Sequence, residues 1–508
     1  MTGPSDPLSL NGHELTPAAV AEVARAERPV ALDPAALARM AEARQVIERA
    51  LESEAPVYGV TTGLGARVGH RLPRAALAEF SRLTLRGRSH ALGPPLAREA
   101  VRAIMTVRLN GLLLGGAGAA PGVAEALAGL LNAGLTPRVP SIGSVGAGDL
   151  CLLAHLGLAL IGEGEIKLAG EVLPAAEALR RAGLAPLELG PKDGLAICNA
   201  SAGSAGLGAL ALHDVAEAWG AANIAAALAF EGFRANLSPL DERVGRLRPQ
   251  PGQIETAAAL RALLEGSDLL RPGAARRLQD PLSLRCVAQV HGALLAALNF
   301  AGPALAVELN GDSSNPAVLA ESGEVLSNGN FHTPLLAIAL DSVAQACAQV
   351  AHLSLARQSK LLLGAMTELP ENLTRHDATR SGLAPLVKPA EALVAEIAHL
   401  AQPVQGGLSL SAAGVEDHMT HAPLAAQKLL KIAGLLRLLI AGELLVAAQA
   451  VDLREGIEPA PRLRAVHAAV RELSAPLEDD RPLYGDLARI ESDLIANGAV
   501  FRTLAAFD

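Results

Sequence analysis

Seven polar or glycine-rich stretches interrupt an otherwise apolar chain: YGVTTGLGARVG from Tyr58, VPSIGSVGAGDL from Val139, ICNASAGSAG from Ile197, LQDPLSLRC from Leu278, NGDSSNPAV from Asn310, SNGNFHTP from Ser327 and SAAGVEDHMTH from Ser411. They carry Tyr58, Asn199, Arg285, Asn315 and Glu416. A tyrosine hydroxyl serves as a base only where neighbouring donors or cations depress its pKa. A planar guanidinium fork suits a carboxylate. Each residue also has a plainer reading. Tyr58 is a turn tyrosine ahead of a glycine-rich loop, Arg285 a structural partner of Asp280, and Glu416 an acid stabilised by a helix N-terminus. His90 reads as a satisfied structural histidine, Phe331 as packing, and Lys388, in LAPLVKPAE, as a solvated lysine. The glycines after Tyr58 form no nucleotide loop, because the Lys-Ser/Thr of a P-loop is missing and no clear strand precedes them. Cys151, Cys198, Cys286 and Cys347 show no CxxC or Cys/His spacing, so neither disulfides nor a metal are expected.

Long helices must position these stretches. Asp33-Pro34 reads as an N-cap with proline at the first helical position, opening ALARMAEARQVIERALES. Helical spacing recurs at 100–114, 207–229, 335–362, 389–400 and 423–451. Strand signals are few, and 165–173, EIKLAGEVL, is the best hairpin. The fold class expected is therefore mainly all-α. Residues 195–212 carry no charge over about the length of a membrane span. Asn199, Ser201, Ser204 and the glycines make them a buried interior segment instead. Loops on such a scaffold are where a site is built. No tandem repeat and no convincing linker divides the chain. We expect residues 1–200 to form an N-terminal helical and loop-rich region, and 201–508 a long-helix bundle with the C-terminal region.

Half of the 508 residues are hydrophobic, and the mean hydropathy is +0.30. The excess is Ala, Leu and Gly, which suits close helix packing within a chain and between subunits. A formal charge of −9 disfavours nucleic acid and an anionic membrane surface as partners. The N-terminal MTGPSDPLSL lacks a basic region followed by an apolar core, so a cytoplasmic location is expected.

Taken in order, Tyr58-Gly-Val-Thr-Thr-Gly-Leu-Gly, Ser89-His90, Gly143-Ser-Val-Gly, Leu195-Ala-Ile-Cys-Asn199, Gln279-Asp-Pro-Leu-Ser-Leu-Arg285-Cys, Asn315-Pro, Gly329-Asn-Phe331-His332 and Glu416-Asp-His418 resemble the aromatic amino acid ammonia-lyases, histidine ammonia-lyase above all. The resemblance runs from about Val57 to Gly456. It implies homotetramers of long antiparallel helices, with sites assembled from loops of three subunits. The implied reaction eliminates ammonia from an α-amino acid to give an α,β-unsaturated acid. By resemblance Tyr58 is the general base for the β-proton, delivered by a mobile lid. Arg285 clamps the substrate carboxylate, and Asn199 and Asn315 bond the amino acid head or support the base. His90 faces the substrate side chain, Glu416 sits at the imidazole end, Phe331 packs beside the prosthetic group, and Lys388 lies on a segment bordering the side chain.

Two departures matter. The family builds 4-methylideneimidazole-5-one from an internal Ala-Ser-Gly in GSVGASGDL. Here the chain reads Gly143-Ser-Val-Gly-Ala147-Gly148-Asp149-Leu150, one residue shorter and without that serine. Ser144 stands in the wrong triplet, because the β-branched Val145 is a poor ring-closing donor. No prosthetic group is expected, and no other cofactor. In addition, the tyrosine of the family's QDPYSLR is Leu282. Three functions fit these residues. The first is a lyase without the group, acting on a histidine-like trimethylammonium betaine whose nitrogen leaves unaided, as in ergothionase, a superfamily member that works this way. The second is histidine ammonia-lyase giving urocanate. The third is a retired family member that only binds.

Overall fold

The computed structural model describes residues 6–52, 56–64, 68–404 and 411–505. Its frame is a set of long helices: Pro34–Glu52, Arg98–Leu112, Ala202–Phe233, Val287–Asn310, Pro334–Leu361, Val387–Leu400 and Ala422–Leu453. Every helical pattern read from the sequence is among them. Asp33 caps its helix as expected, with Oδ1 accepting from the Ala36 amide at 3.0 Å. The expected hairpin is Glu165–Leu168 against Glu171–Pro174, extended by Thr136–Pro137 into three strands.

The chain groups into two compact units. The first comprises Met1–His213, Gly302–Leu340 and Val404–Gln427; the second comprises Asp214–Ala301, Asp341–Pro403 and Lys428–Asp508. The first boundary therefore falls within the Ala202–Phe233 helix rather than at the 200/201 division expected from sequence, and two later segments return to the first unit.

All described strands belong to the first unit. Its core is the Arg98–Leu112 helix, buried on nearly every side. Arg102, fully buried there, stays solvated by protein: its guanidinium donates to the Val23 carbonyl at 2.8 Å and the Leu131 carbonyl at 3.0 Å. The start of the Ala202–Phe233 helix packs on the same helix. A Cβ at Gly206 would stand 2.7 Å from the Ile104 amide nitrogen, so glycine sets how closely the two backbones approach.

The second unit is helical among its described residues. Arg357 and Glu443, both fully buried, pair with Nη2 to Oε2 at 3.0 Å, and Ser354 donates its hydroxyl to the same carboxylate. The remaining Arg357 nitrogen, Nη1, donates to the Ser283 carbonyl at 3.3 Å, inside the short Leu282–Arg285 helix. Glu231 is another buried acid of this unit, accepting from Ser267 Oγ at 2.9 Å and the Ala460 amide at 3.0 Å.

Three helical stretches are long and apolar enough to cross a membrane by length and composition. The apolar window of 193–233 is wholly buried in the chain, so the uncharged 195–212 stretch is an interior segment, as its polar residues imply. That of Val287–Asn310 is only 33% buried, leaving Phe300 and Val307 outward at helical spacing. Leu335 and Ile338 are likewise exposed on Pro334–Leu361.

Burial pushes the Glu231 carboxyl up to about 7, opposed by its two donors. A raised folded-state pKa means that the protonated form is the one the fold favours. Its contribution is fully present below the ordinary glutamate value and is lost as pH rises through about 7. Glu231→Gln therefore gains stability relative to the parent between about pH 5 and about pH 8. Denaturant midpoints of both proteins across that range check it, and parallel curves would contradict it.

Candidate active site

Residues 143–149 join strand Pro140–Ile142 to helix Leu150–Leu160, and hydrogen bonds latch them on several sides. The Val145 carbonyl accepts from the His421 amide at 2.9 Å, and the Gly146 carbonyl from Thr420 Oγ1 at 2.9 Å. Ala147 bridges to His332, and the Gly148 amide donates to the Phe331 carbonyl at 3.2 Å. The Asp149 amide donates to the Ala200 carbonyl at 2.7 Å. Gly146 has φ +80°, and a Cβ on it would collide with the Thr420 hydroxyl, so only glycine fits.

Asp149 anchors the far end of the loop. Its fully buried carboxylate accepts from Ser144 Oγ at 2.6 Å, from the Ser204 amide at 2.6 Å and from Ser204 Oγ at 3.0 Å. One carboxylate thus ties the head of the loop to the first turn of Ala202–Phe233, where the helix dipole favours negative charge. Burial raises its pKa, and the donors from Ser144, Ser204 and Gly203 pull it down. Beside it, Ser201 Oγ donates to Glu308 at 2.7 Å, and burial raises that carboxyl too.

Asn199 ends the Asp193–Cys198 helix, almost wholly buried. Its Nδ2 donates to the Asn315 carbonyl at 2.8 Å, and its Oδ1 lies 3.1 Å from where a Cβ on Gly148 would stand. Asn315 Oδ1 in turn accepts from the Asn328 amide at 2.9 Å. The two asparagines are therefore one connected unit beside the shortened loop. Two buried cations hold it from beneath. Arg108 donates to the Ala196 carbonyl, and Lys192 to the carbonyls of Ala117 and Pro316. Burial pushes Lys192 down to about 8 and Arg108 down to about 10, with Asp312 opposing both shifts. Neither cation is among the residues singled out from sequence. Lys192-Asp193 directly before the LAICN run is the one signal for Lys192, and Arg108 is concealed within an apolar helix.

Tyr58 lies on a tight turn closed by the Val60 and Thr61 amides donating to the Val57 carbonyl. A Cβ on Gly59 would stand 2.5 Å from Leu195 Cδ2, so this turn packs against the helix that ends in Asn199. Gly65, the last residue of the expected lid, lies outside the described residues. His90 is exposed and close enough to lower the pKa of His155, which burial already depresses. Phe331 is half-buried, its backbone carbonyl on the loop. Glu416 is exposed, two residues before His418. His332 and His418, quoted as motif residues but given no role from sequence, bond Nε2 to Nδ1 at 2.8 Å.

Leu282, Arg285 and Lys388 belong to the second unit. Arg285 closes the Leu282–Arg285 helix, and its Nε is buried with no hydrogen-bond partner. The plainer reading of Arg285 as an ion-pair partner of Asp280 is not realised. Asp280 accepts from the Asn236 amide at 2.6 Å, and its other oxygen is buried without a bond. Burial raises the Asp280 carboxyl, with the Asn236 amide and Arg276, Arg277 and Arg285 opposing. Leu282 is 60% exposed. Lys388 is exposed and pairs with Glu391 at 3.2 Å, one helical turn on, so within one chain it takes its solvated role.

The family model described as aromatic amino acid lyase matches residues 15–472. Histidine ammonia-lyase of Sorangium cellulosum is 41% identical over 502 residues, covering 97% of this chain and 98% of the relative. The enzyme of the same name from Anaeromyxobacter dehalogenans is 40% identical, covering 97% and 99%. Among solved structures, ergothionase of Treponema denticola, an ergothioneine-degrading enzyme in complex with desmethyl-ergothioneine sulfonic acid, superposes with a TM-score of 0.91 at 30% identity, covering 97% of this chain and 99% of that one. Histidine ammonia-lyase of Trypanosoma cruzi gives a TM-score of 0.92 at 30% identity, covering 99% and 95%.

Asp149→Ala leaves the buried Ser204 amide and two hydroxyls without their acceptor, a cost of about 1–3 kcal/mol in stability. Amide exchange should then rise across 143–149 and the first turn of Ala202–Phe233, while Arg98–Leu112 stays protected. Unchanged exchange in the loop would remove Asp149 from this role.

Proposed function

The chain belongs to the aromatic amino acid lyase family and is a carbon–nitrogen lyase, and we propose that it eliminates the amine from a histidine-like substrate without a methylideneimidazolone, a trimethylammonium betaine of the ergothioneine type being the substrate that suits it best. One observation carries this: between Gly146 and Asp149 stand only Ala147 and Gly148, and both the Gly148 and Asp149 amides are already hydrogen-bonded. Ring closure needs a serine to supply the methylidene carbon and an unhindered amide nitrogen to attack. Ser144 is committed to Asp149, and the nitrogen its own triplet would use belongs to Val145. The residues present do not suit the group, and no step is routed through it.

The residues that remain suffice for a substrate whose nitrogen is already a good leaving group. Tyr58 takes the β-proton. The C–H electron pair becomes the Cα–Cβ double bond, and the Cα–N bond breaks with its electrons going to nitrogen, which departs as neutral trimethylamine. Arg285 holds the carboxylate, and its unpaired, buried Nε supports this role, since an uncompensated buried donor is costly until a ligand accepts from it. Asn199 and Asn315 bond the substrate head or support the base. Glu416 holds the imidazole or thioimidazole ring, with Lys388 beside it, and the ring delocalises charge developing at the β-carbon. His90 faces the side chain, and Leu282 and Phe331 pack around the substrate. The overall likeness to the Treponema denticola ergothionase supports the same reading. The second reading, histidine ammonia-lyase giving urocanate, rests on relatives of that name at 41% and 40% identity.

Exposed Phe300, Val307, Leu335 and Ile338 on two apolar helices support a homotetramer whose copies cover those faces and share sites. Light scattering should give four chains per particle, and an active monomer would contradict it.

The substrate test offers histidine and the trimethylammonium betaines of histidine and 2-thiohistidine under one set of conditions, following acrylate absorbance. The betaines should be preferred by well over tenfold, because each ~1.4 kcal/mol of barrier is a factor of ten. Tyr58→Phe should lose on the order of 10²–10⁴-fold of that rate with the fold intact. Fast deamination of histidine with untouched betaines would replace this reading by the second.

A further inference from the structure

The stretch carrying Glu416 begins in an unfavourable backbone. Ala412, Ala413 and Gly414 have φ of +52°, +57° and +85°, and for alanine the left-handed region costs about 1–2 kcal/mol per residue. Such a run does not place the residues after it by its own preferences. Downstream the chain is pinned: Met419 and Thr420 are buried, and Thr420 Oγ1 donates to the Gly146 carbonyl at 2.9 Å. Glu416 lies between, exposed, and His418, two residues on, bonds to His332.

That bond joins two imidazole rings. The rings meet edge to face, centroids 5.0 Å apart, with His332 Nε2 and His418 Nδ1 at 2.8 Å. An imidazole pair shares a proton only if one nitrogen donates and the other accepts. Burial and the neighbouring His418 ring lower the pKa of His332, and the Gly146 backbone opposes them. Which ring donates depends on the tautomer, and the bond joins the two residues either way. His332 is also backbone-paired to Ala147, and Phe331 before it accepts from the Gly148 amide. One histidine thus connects the shortened loop to the stretch that presents Glu416.

We propose that His332 is a positioning residue: through His418 it fixes Glu416 against the loop, and so sets how the substrate's ring is held. The proposal rests on the reading of Glu416 as the group at the ring. His332 touches no reacting atom in this account. Its effect therefore falls on ring recognition rather than on proton removal or amine departure, which belong to Tyr58 and the leaving group.

The test is a variant cycle on the full-length protein, with kcat and KM measured separately on whichever of histidine and the two betaines it turns over. His332→Phe keeps a ring and loses both nitrogens. KM should rise about tenfold, the scale of one lost hydrogen bond, with kcat within about twofold. His332→Gln, which keeps a donor and an acceptor, should restore most of the loss. Glu416→Gln should raise KM similarly, and the double variant His332→Phe/Glu416→Gln should be no worse than either alone. Multiplying effects, or a fall in kcat at unchanged KM, overturn the proposal. A parent protein inert towards all three compounds defeats the functional reading alone, and amide exchange then decides this one. His332→Phe should raise exchange across Glu416–Met419 and leave Ala202–Phe233 protected, and unchanged exchange there overturns it. Should His332→Phe fail to fold, His418→Phe removes the same bond from the other side, with the same expected results.

Discussion

The buried carboxylate of Asp149 is the interaction on which the rest of the site depends. It holds Ser144 at one end of the glycine loop and the Ser204 amide at the start of a helix running from Ala202 to Phe233. A carboxylate with no exposure is costly unless its oxygens are bonded, and here the loop and the helix supply the donors. With that end fixed, Val145, Gly146 and Gly148 are left to bond sideways, to His421, Thr420 and Phe331. The loop is thereby a hydrogen-bonded turn in which the Gly148 and Asp149 amides, the two beyond Ala147, are already donating.

A second constraint is the concentration of cations beneath the asparagines. Arg108 and Lys192 are both buried, and both bond carbonyls of segments that carry Asn199 or adjoin Asn315. Solvent does not compete for these donors, so each bond is strong and each loss would be costly. The arrangement keeps Asn199 Nδ2 on the Asn315 carbonyl without relying on loop stiffness. It also places fixed positive charge under a site proposed to handle a substrate carboxylate and a developing carbanion.

Much of this was legible in the sequence, for identifiable reasons. The helices announce themselves through 3.6-residue apolar spacing and, at Asp33-Pro34, through cap chemistry, and the hairpin at 165–174 through alternation around Ala169-Gly170. Motif order pointed to the family, and the missing residue between Ala147 and Gly148 is visible by inspection. Sequence could not show that Arg285 leaves Asp280 unpaired, because proximity in the chain says nothing of where a guanidinium points. Lys192 and Arg108 were missed since a buried lysine and arginine look like any other until burial is known. The unit boundary inside Ala202–Phe233 was missed because a helix that serves two cores carries no break in its pattern. His332 and His418 stood in quoted motifs without a role, since only geometry reveals that residues so far apart share a proton.

The central claim is that the loop from Gly143 to Leu150 keeps its ordinary peptide backbone and that the chemistry is arranged around that fact. The most direct measurement is the mass of the proteolytic peptide spanning these residues, together with the intact mass of the freshly purified protein. The account predicts the mass of the unmodified sequence in both. A deficit corresponding to cyclisation and loss of water, localised to this peptide, would contradict it.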